Sequence, residues 1–240
     1  MRAVILAAGV GKRLRNVADN PKCQIMINGI SLIERYLNAL ECLNILDVVI
    51  VVGYKKEKII EFVKRYTFRG NIKIIENPDF TDGSILSLYS ARNNLNGDII
   101  LMDGDVYFEL EILRKLINAK QENLIPIDTT SCSSGEEMMV GVKNGRVVDM
   151  NRIIDGNFDI VGEAVGFYKF NDYSCEELKR ILISQYKLKN YSLGYEDILP
   201  FLFKYIYFRH IMVDGLKWIE IDFEEDIDRA KSLENEKNEI

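Results

Sequence analysis

Four short apolar runs limit most strongly what this chain can fold into: residues 3–7 (AVILA), 48–52 (VVIVV), 72–75 (IKII) and 99–102 (IILM). Near-continuous apolarity suits strands covered on both faces, as in a parallel sheet. Helical patterns lie between them. Residues 31–43 (SLIERYLNALECL) line up Leu32, Ile33, Tyr36, Leu37, Leu40 and Leu43 on one face. Ser31 suits the N-cap there, and Glu34 three positions on completes a capping box. Residues 55–66 and 84–95 repeat the amphipathic pattern, the latter again opened by a serine, Ser84. This alternation predicts a doubly wound sheet over residues 1–118.

The second half reads differently. Residues 137–142 and 145–151 flank Lys143-Asn144-Gly145, a hairpin signal. Residues 160–170 (IVGEAVGFYKF) read as one strand, and 217–222 (KWIEID) as another. Helices are expected at about 174–187, 195–205 and 223–236, and the last few residues should fray. There is no long linker and no internal repeat. One domain over 1–240 is expected, with 119–240 a mixed extension of the sheet begun by 1–118.

Charge and cysteines narrow the function. The net charge of −6 argues against a broad nucleic-acid-binding face, but a local cationic pocket remains possible. Cys23, Cys42, Cys132 and Cys175 lack CxxC spacing, so neither zinc nor a disulfide frame is suggested and small buried hydrophobes are expected. The N-terminus is too short and glycine-rich for a signal peptide or a membrane span, so a reduced, cytoplasmic setting and no membrane partner are expected.

The loop that follows the first apolar run, LAAGVGKRL (6–14), poses the functional question. Gly9 and Gly11 clear space for backbone amides to meet an anion, and Lys12, Arg13 and Lys22 add charge. A P-loop is excluded, because Lys12 is followed by Arg13 and no glycine lies five before Gly11. A dinucleotide fingerprint is excluded by Leu14. A plain tight turn remains open on these residues alone.

The same loop, with Pro21-Lys22 behind it, resembles the signature of the nucleotidyltransferases that make NDP-sugars and CDP-alcohols. Further likenesses follow in order: Val52-Gly53-Tyr54, Asn77-Pro78 with Gly83-Ser84, Asp103-Gly104-Asp105, GEAVGFYKF (162–170), YED (195–197) and WIEIDFEEDIDRA (218–230). Within that group the short length is most similar to the small cytidylyltransferases that act on phosphocholine, 2-aminoethylphosphonate, inositol phosphate or phosphoglutamine. The resemblance implies an α/β fold, a Rossmann-like three-layer sandwich around a central mixed, mostly parallel sheet. It implies attack of a phosphate or phosphonate oxygen on the α-phosphorus of CTP, with pyrophosphate leaving and Mg²⁺ as cofactor.

What the resemblance implies for single residues is as follows. Leu6, Ala7 and Ala8 would contact the nucleotide, and Gly9, Gly11, Lys12 and Arg13 would hold the triphosphate, with Arg13 on the leaving phosphates and Lys22 at the α-phosphate. Asp103, Asp222 and, with less support, Asp105 would hold the metal. Asp105 could instead be a turn residue capping the next helix. Glu220 shares a strand face with Asp222 and could take its place. Gly53, Tyr54, Gly83 and Ser84 would meet cytosine and ribose, with packing at a helix start open for Tyr54. Tyr89, Glu163, Glu196 and Asp197 would receive the acceptor, since carboxylates beside an aromatic suit an ammonium group. Glu196 and Asp197 could equally be first-turn helix residues. His210 reads as a strand residue without a catalytic role.

Three other readings stay open: a sugar-1-phosphate nucleotidyltransferase using UTP or dTTP, a glycosyltransferase suggested by the DxD at 103–105, and an inactive nucleotide-sensing module. The oligomeric state, monomer or homodimer, is open too. The apolar stretch YIYFRHIMV (205–213) could be core or interface.

Overall fold

The computed structural model describes residues 1–14, 20–131 and 135–235. Cys132 and the final residues 236–240 lie outside them. The strands in chain order are β1 (Arg2–Ala7), β2 (Met26–Ile27), β3 (Ile30–Ser31), β4 (Asp47–Val52), β5 (Asn71–Glu76), β6 (Ile99–Asp103), β7 (Val106–Phe108), β8 (Leu124–Asp128), β9 (Met139–Lys143), β10 (Arg146–Asn151), β11 (Ile160–Ala164), β12 (Phe167–Phe170), β13 (Arg209–Met212) and β14 (Trp218–Glu220). The helices are α1 (Leu32–Cys42), α2 (Lys56–Arg65), α3 (Ile85–Ser90), α4 (Leu110–Asn118), α5 (Asp172–Lys187), α6 (Leu199–Phe203) and α7 (Glu224–Asn235).

Strands β5-β4-β1-β6 run parallel in that spatial order, as the βαβ alternation requires. The sheet continues through β12, antiparallel to β6, into the antiparallel strands β8, β11, β9 and β10, with β13 parallel to β8. The apolar runs explain themselves on this frame. In β1 and β4, Ala3, Ile5, Val48 and Ile50 pack into one core with α1 and α4, while Val4, Val49 and Val51 pack into a second with α3, α5 and α6. Both faces of each strand are therefore covered, and polar alternation would have cost burial on one side.

Residues 160–170 are not one regular strand. Ala164 stands opposite Ile127 but Lys169 stands opposite Leu124, so two extra residues, Val165 and Gly166, are accommodated between β11 and β12. Gly166 has φ +82°, and its carbonyl accepts the Asp103 amide at 2.9 Å. Pro126, which has no N–H to offer, faces this irregularity, with its carbonyl taking Val165 N at 3.3 Å.

Local signals behave as their chemistry dictates. Ser31 Oγ accepts Glu34 N at the start of α1. Asn144 (φ 51°) and Gly145 (φ 70°) form the two-residue turn between β9 and β10. Ser84 does not cap α3; its hydroxyl accepts the amide of Tyr195 at 2.9 Å instead. The helix expected over 195–205 is a 3-10 turn, Glu196–Ile198, followed by the short α6. Cys23 and Cys175 are buried as expected, whereas Cys42 is exposed. No helix among the described residues is long and apolar enough to cross a membrane. In the 205–213 stretch, Ile206 and Phe208 are core while Tyr205 and Tyr207 face outward.

Candidate active site

A cleft of about 730 Å³ opens at the carboxyl ends of the parallel strands β1 and β6, where such sheets place ligands. Its walls come from the loop after β1, the Phe80–Ser84 segment, the turn after β6, the β11–β12 kink and the segment after β14. The turn after β6 is held from several sides. Gly104 N donates to Leu6 O at 3.0 Å, and a Cβ on Gly104 would lie 2.7 Å from that oxygen. The buried Tyr36 hydroxyl, delivered by α1, donates towards Asp103 O at 2.5 Å and accepts Val106 N at 3.1 Å. Ile221 N reaches Asp105 O at 3.0 Å, tying the end of β14 to the same turn.

That tie brings three carboxylates together. Oxygens of Asp105, Glu220 and Asp222 lie within 4.8 Å of one another. Asp226 shapes this corner, because its carboxylate accepts the amides of Asp222 at 3.0 Å and Phe223 at 2.8 Å. Lys22 Nζ sits against the trio, 2.8 Å from Asp105 Oδ2 and hydrogen-bonded to Asp222 Oδ1. Burial pushes the Lys22 ammonium down, but Asp105, Asp222 and Glu220 outweigh it and hold the group well above an ordinary lysine. Burial, then Asp105 and Asp222, pushes the Glu220 carboxyl up to about 8. Arg13 pairs with Glu136 at 2.7 Å and Asp222 at 3.5 Å, with its guanidinium over the Phe223 ring.

A second polar group lies deeper. Asp103 Oδ2 accepts the Tyr195 hydroxyl at 2.6 Å, and Glu196 Oε1 accepts the Tyr168 hydroxyl at 2.8 Å. The two phenol rings meet edge to face at 5.9 Å. Burial raises the Asp103 carboxyl well above the usual range, helped by Glu196 and Asp105. Burial likewise pushes Glu196 up to about 7, against the Tyr168 hydroxyl and the charge of Arg152.

The cleft thus brings a glycine loop and a buried lysine against clustered carboxylates, a charge arrangement that suits a polyanion and a hard cation. The profile of the MobA-like NTP transferase domain matches residues 3–154. The chain belongs to this family. A CTP:phosphoglutamine cytidylyltransferase from Campylobacter jejuni is 23% identical over 255 residues, covering 95% of this chain and 98% of the relative. A bifunctional IPC transferase and DIPP synthase from Aquifex aeolicus is 28% identical over 233 residues, covering 95% of this chain and 50% of the relative. The structure of the CTP:phosphocholine cytidylyltransferase from Streptococcus pneumoniae matches with a TM-score of 0.80 at 21% identity, over 97% of this chain and 98% of that one. The last likeness speaks for the fold, a mixed sheet of the kind expected, with helices on both sides.

On this MobA-like frame the residues expected from the sequence fall into three groups. Leu6, Ala8, Gly9, Gly11, Lys12, Arg13, Lys22, Ser84, Asp103, Asp105, Glu163, Glu196 and Asp222 line the cleft. Tyr54 lies beside it, in a small adjoining pocket with Gly11 and Lys22. Ala7, Gly53, Gly83, Tyr89 and Asp197 are not among the lining residues. Ala7 packs under Gly104. A Cβ on Gly53 would meet Phe80 at 2.4 Å, and one on Gly83 would meet Leu193 O at 2.1 Å, so each glycine admits a neighbouring chain segment. Tyr89 stacks on Tyr186 at 4.0 Å, away from the cleft. Asp197 accepts Gly194 N at 2.7 Å, an ordinary turn role. Asp103 stands outside the carboxylate trio, and Glu220 stands inside it.

Nothing local in the sequence marks Tyr195 and Tyr168 as partners of Asp103 and Glu196, although Tyr195 lies within the YED motif. Arg152 and Glu136 also line the cleft, and no motif marks either.

Proposed function

We propose that this protein is a cytidylyltransferase that moves CMP from CTP to a small phosphorylated or phosphonate alcohol or amine, releasing pyrophosphate. The convergence of the glycine loop, Lys22 and the Asp105, Glu220 and Asp222 carboxylates in one cleft is the observation that carries this reading. The named cytidylyltransferase relatives supply the nucleotide and the acceptor class.

The residues divide the work by charge. An acceptor oxyanion must approach an α-phosphorus already crowded with negative oxygens, so positioning and neutralisation supply most of the rate. Amides of the 9–11 loop, with Lys12 and Arg13, would cradle the triphosphate. Arg13 is suited to the β,γ-phosphates through its planar fork. Lys22 would neutralise the non-bridging oxygens at the α-phosphorus. The acceptor oxygen forms a new P–O bond there while the α–β bridging bond breaks and its electron pair leaves with pyrophosphate.

The carboxylate trio fits Mg²⁺, because it offers only hard oxygen donors at a spacing one ion can span. Asp105, Asp222 and Glu220 would hold the ion. When bound it would screen the triphosphate and orient the leaving phosphates. Asp103, expected as a ligand, has its carboxylate engaged by Tyr195 and faces the acceptor side. There Asp103, Glu163 and Glu196, with the Tyr195 ring, form an acidic, aromatic wall suited to an acceptor bearing a cationic group.

The test is pyrophosphate release across CTP, UTP, ATP, GTP and dTTP, with phosphocholine, aminoethyl phosphate, inositol phosphate and glucose 1-phosphate as acceptors. CTP with an amine-bearing acceptor is the expected pair. Preference for UTP or dTTP with the sugar phosphate would replace this reading by the sugar-1-phosphate alternative.

A further inference from the structure

We propose that Lys22 is the resident counter-cation of the carboxylate trio in the ligand-free enzyme. It leaves those carboxylates when a nucleotide triphosphate arrives, so the divalent metal enters together with the nucleotide and not before it. This rests on the nucleotidyl-transfer reading and adds an order of binding to it.

Three observations carry the inference. Lys22 Nζ bridges two members of the trio, Asp105 at 2.8 Å and Asp222, from different elements, and its side chain is only 13% exposed. An ammonium there and a divalent cation held by the same oxygens would repel each other at contact distance, so they compete for the site. Second, the lysine stem lies against the glycine loop. A Cβ on Gly11 would meet Lys22 Cγ at 3.0 Å, so the stem runs directly under the glycine loop. Rotation about the outer methylenes can carry the ammonium from the carboxylates towards phosphates cradled by that loop. Third, Arg13 also leans on Asp222, at 3.5 Å. Two cations assigned to the triphosphate are thus parked on a carboxylate assigned to the metal. A triphosphate draws both away and uncovers the carboxylates in the same event.

The experiment is Mn²⁺ binding without nucleotide, followed by electron paramagnetic resonance, on wild type, Lys22→Met and Lys22→Gln. Both variants should bind Mn²⁺ about tenfold or more tightly than wild type, since a competing charge is gone. Adding Asp222→Asn to Lys22→Met should abolish the gain. The same Lys22 variants should bind CTP more weakly, a change of opposite sign that a general loss of structure could not produce. Equal or weaker Mn²⁺ binding by the variants overturns the proposal. If Lys22→Met folds poorly, Lys22→Gln, which keeps a polar end, decides alone. Failure of wild-type protein to bind CTP or release pyrophosphate would sink the underlying reading, and the Mn²⁺ comparison would still report on Lys22 itself.

Discussion

Lys22 shows how much one side chain can depend on distant chain. Replacing it with Ala should lower kcat/KM in a pyrophosphate-release assay by about 100-fold or more, roughly 3 kcal/mol of barrier. Activity within about tenfold of wild type would remove it from that role. Gly166 is the second residue to test. Its φ of +82° is costly for any side chain, and a Cβ would lie 2.7 Å from Asp103 Oδ2. Gly166→Ala should therefore cost about 1–3 kcal/mol in a urea titration and also reduce kcat, because Asp103 must shift from Tyr195. Unchanged stability would show that the kink tolerates a side chain. Gly9, Gly11, Lys12, Arg13 and Lys22 were legible as cleft residues through the resemblance of the loop and of Pro21-Lys22 to a nucleotidyltransferase signature, which is written in contiguous residues after a readable strand. The sequence offered Glu220 only as an alternative to Asp222; that it joins the carboxylate trio while Asp103 does not was not legible. Both sit at strand ends next to other acids, and which one points inward depends on Ile221 N pairing with Asp105 O across 116 residues of chain.

Elements with a clear apolar or turn pattern follow from the sequence, and several governed by distant partners do not. Strands β1, β4, β5 and β6 and helices α1 and α2 follow from runs and periodicity alone. Strand β8 (LIPID) carries a central proline, which argues against a strand in the sequence. The structure tolerates it only because the 165–166 irregularity faces it. The β2–β3 hairpin carries an Asn28-Gly29 turn with φ 48° and 86°, the same signal read at 144–145, but its strands have two residues each. That is too short for any pattern to register. Helix α1 offers the test at this scale. Ser31→Ala removes the cap on Glu34 N and should cost about 1 kcal/mol, read as a lower urea midpoint with unchanged slope. A change below a few tenths would mean that packing of Tyr36 and Leu37, rather than the cap, holds the helix start.

At the scale of the molecule, the cleft stores unfavourable charge that pH can reveal. Glu196, at about 7, is raised from 4.5 chiefly by burial. A raised folded-state value favours folding where the group is protonated, so this stability is complete below about pH 4.5 and is lost as pH climbs through 7. The metal-free protein should thus lose on the order of 5 °C in melting temperature between pH 5 and 8 by scanning calorimetry. Glu196→Gln should flatten that fall, and a profile flat in wild type would contradict it. What the sequence by itself determined is the layered α/β plan, the position of the glycine loop and the set of cations and carboxylates at strand ends, because each is written in contiguous residues. Only the tertiary structure decided which carboxylates meet, which glycines serve chain approach, and that Tyr195 and Tyr168 hold the buried acids. Those outcomes depend on hydrogen bonds between segments about 30 to 120 residues apart, whose register is set by packing and leaves no local trace.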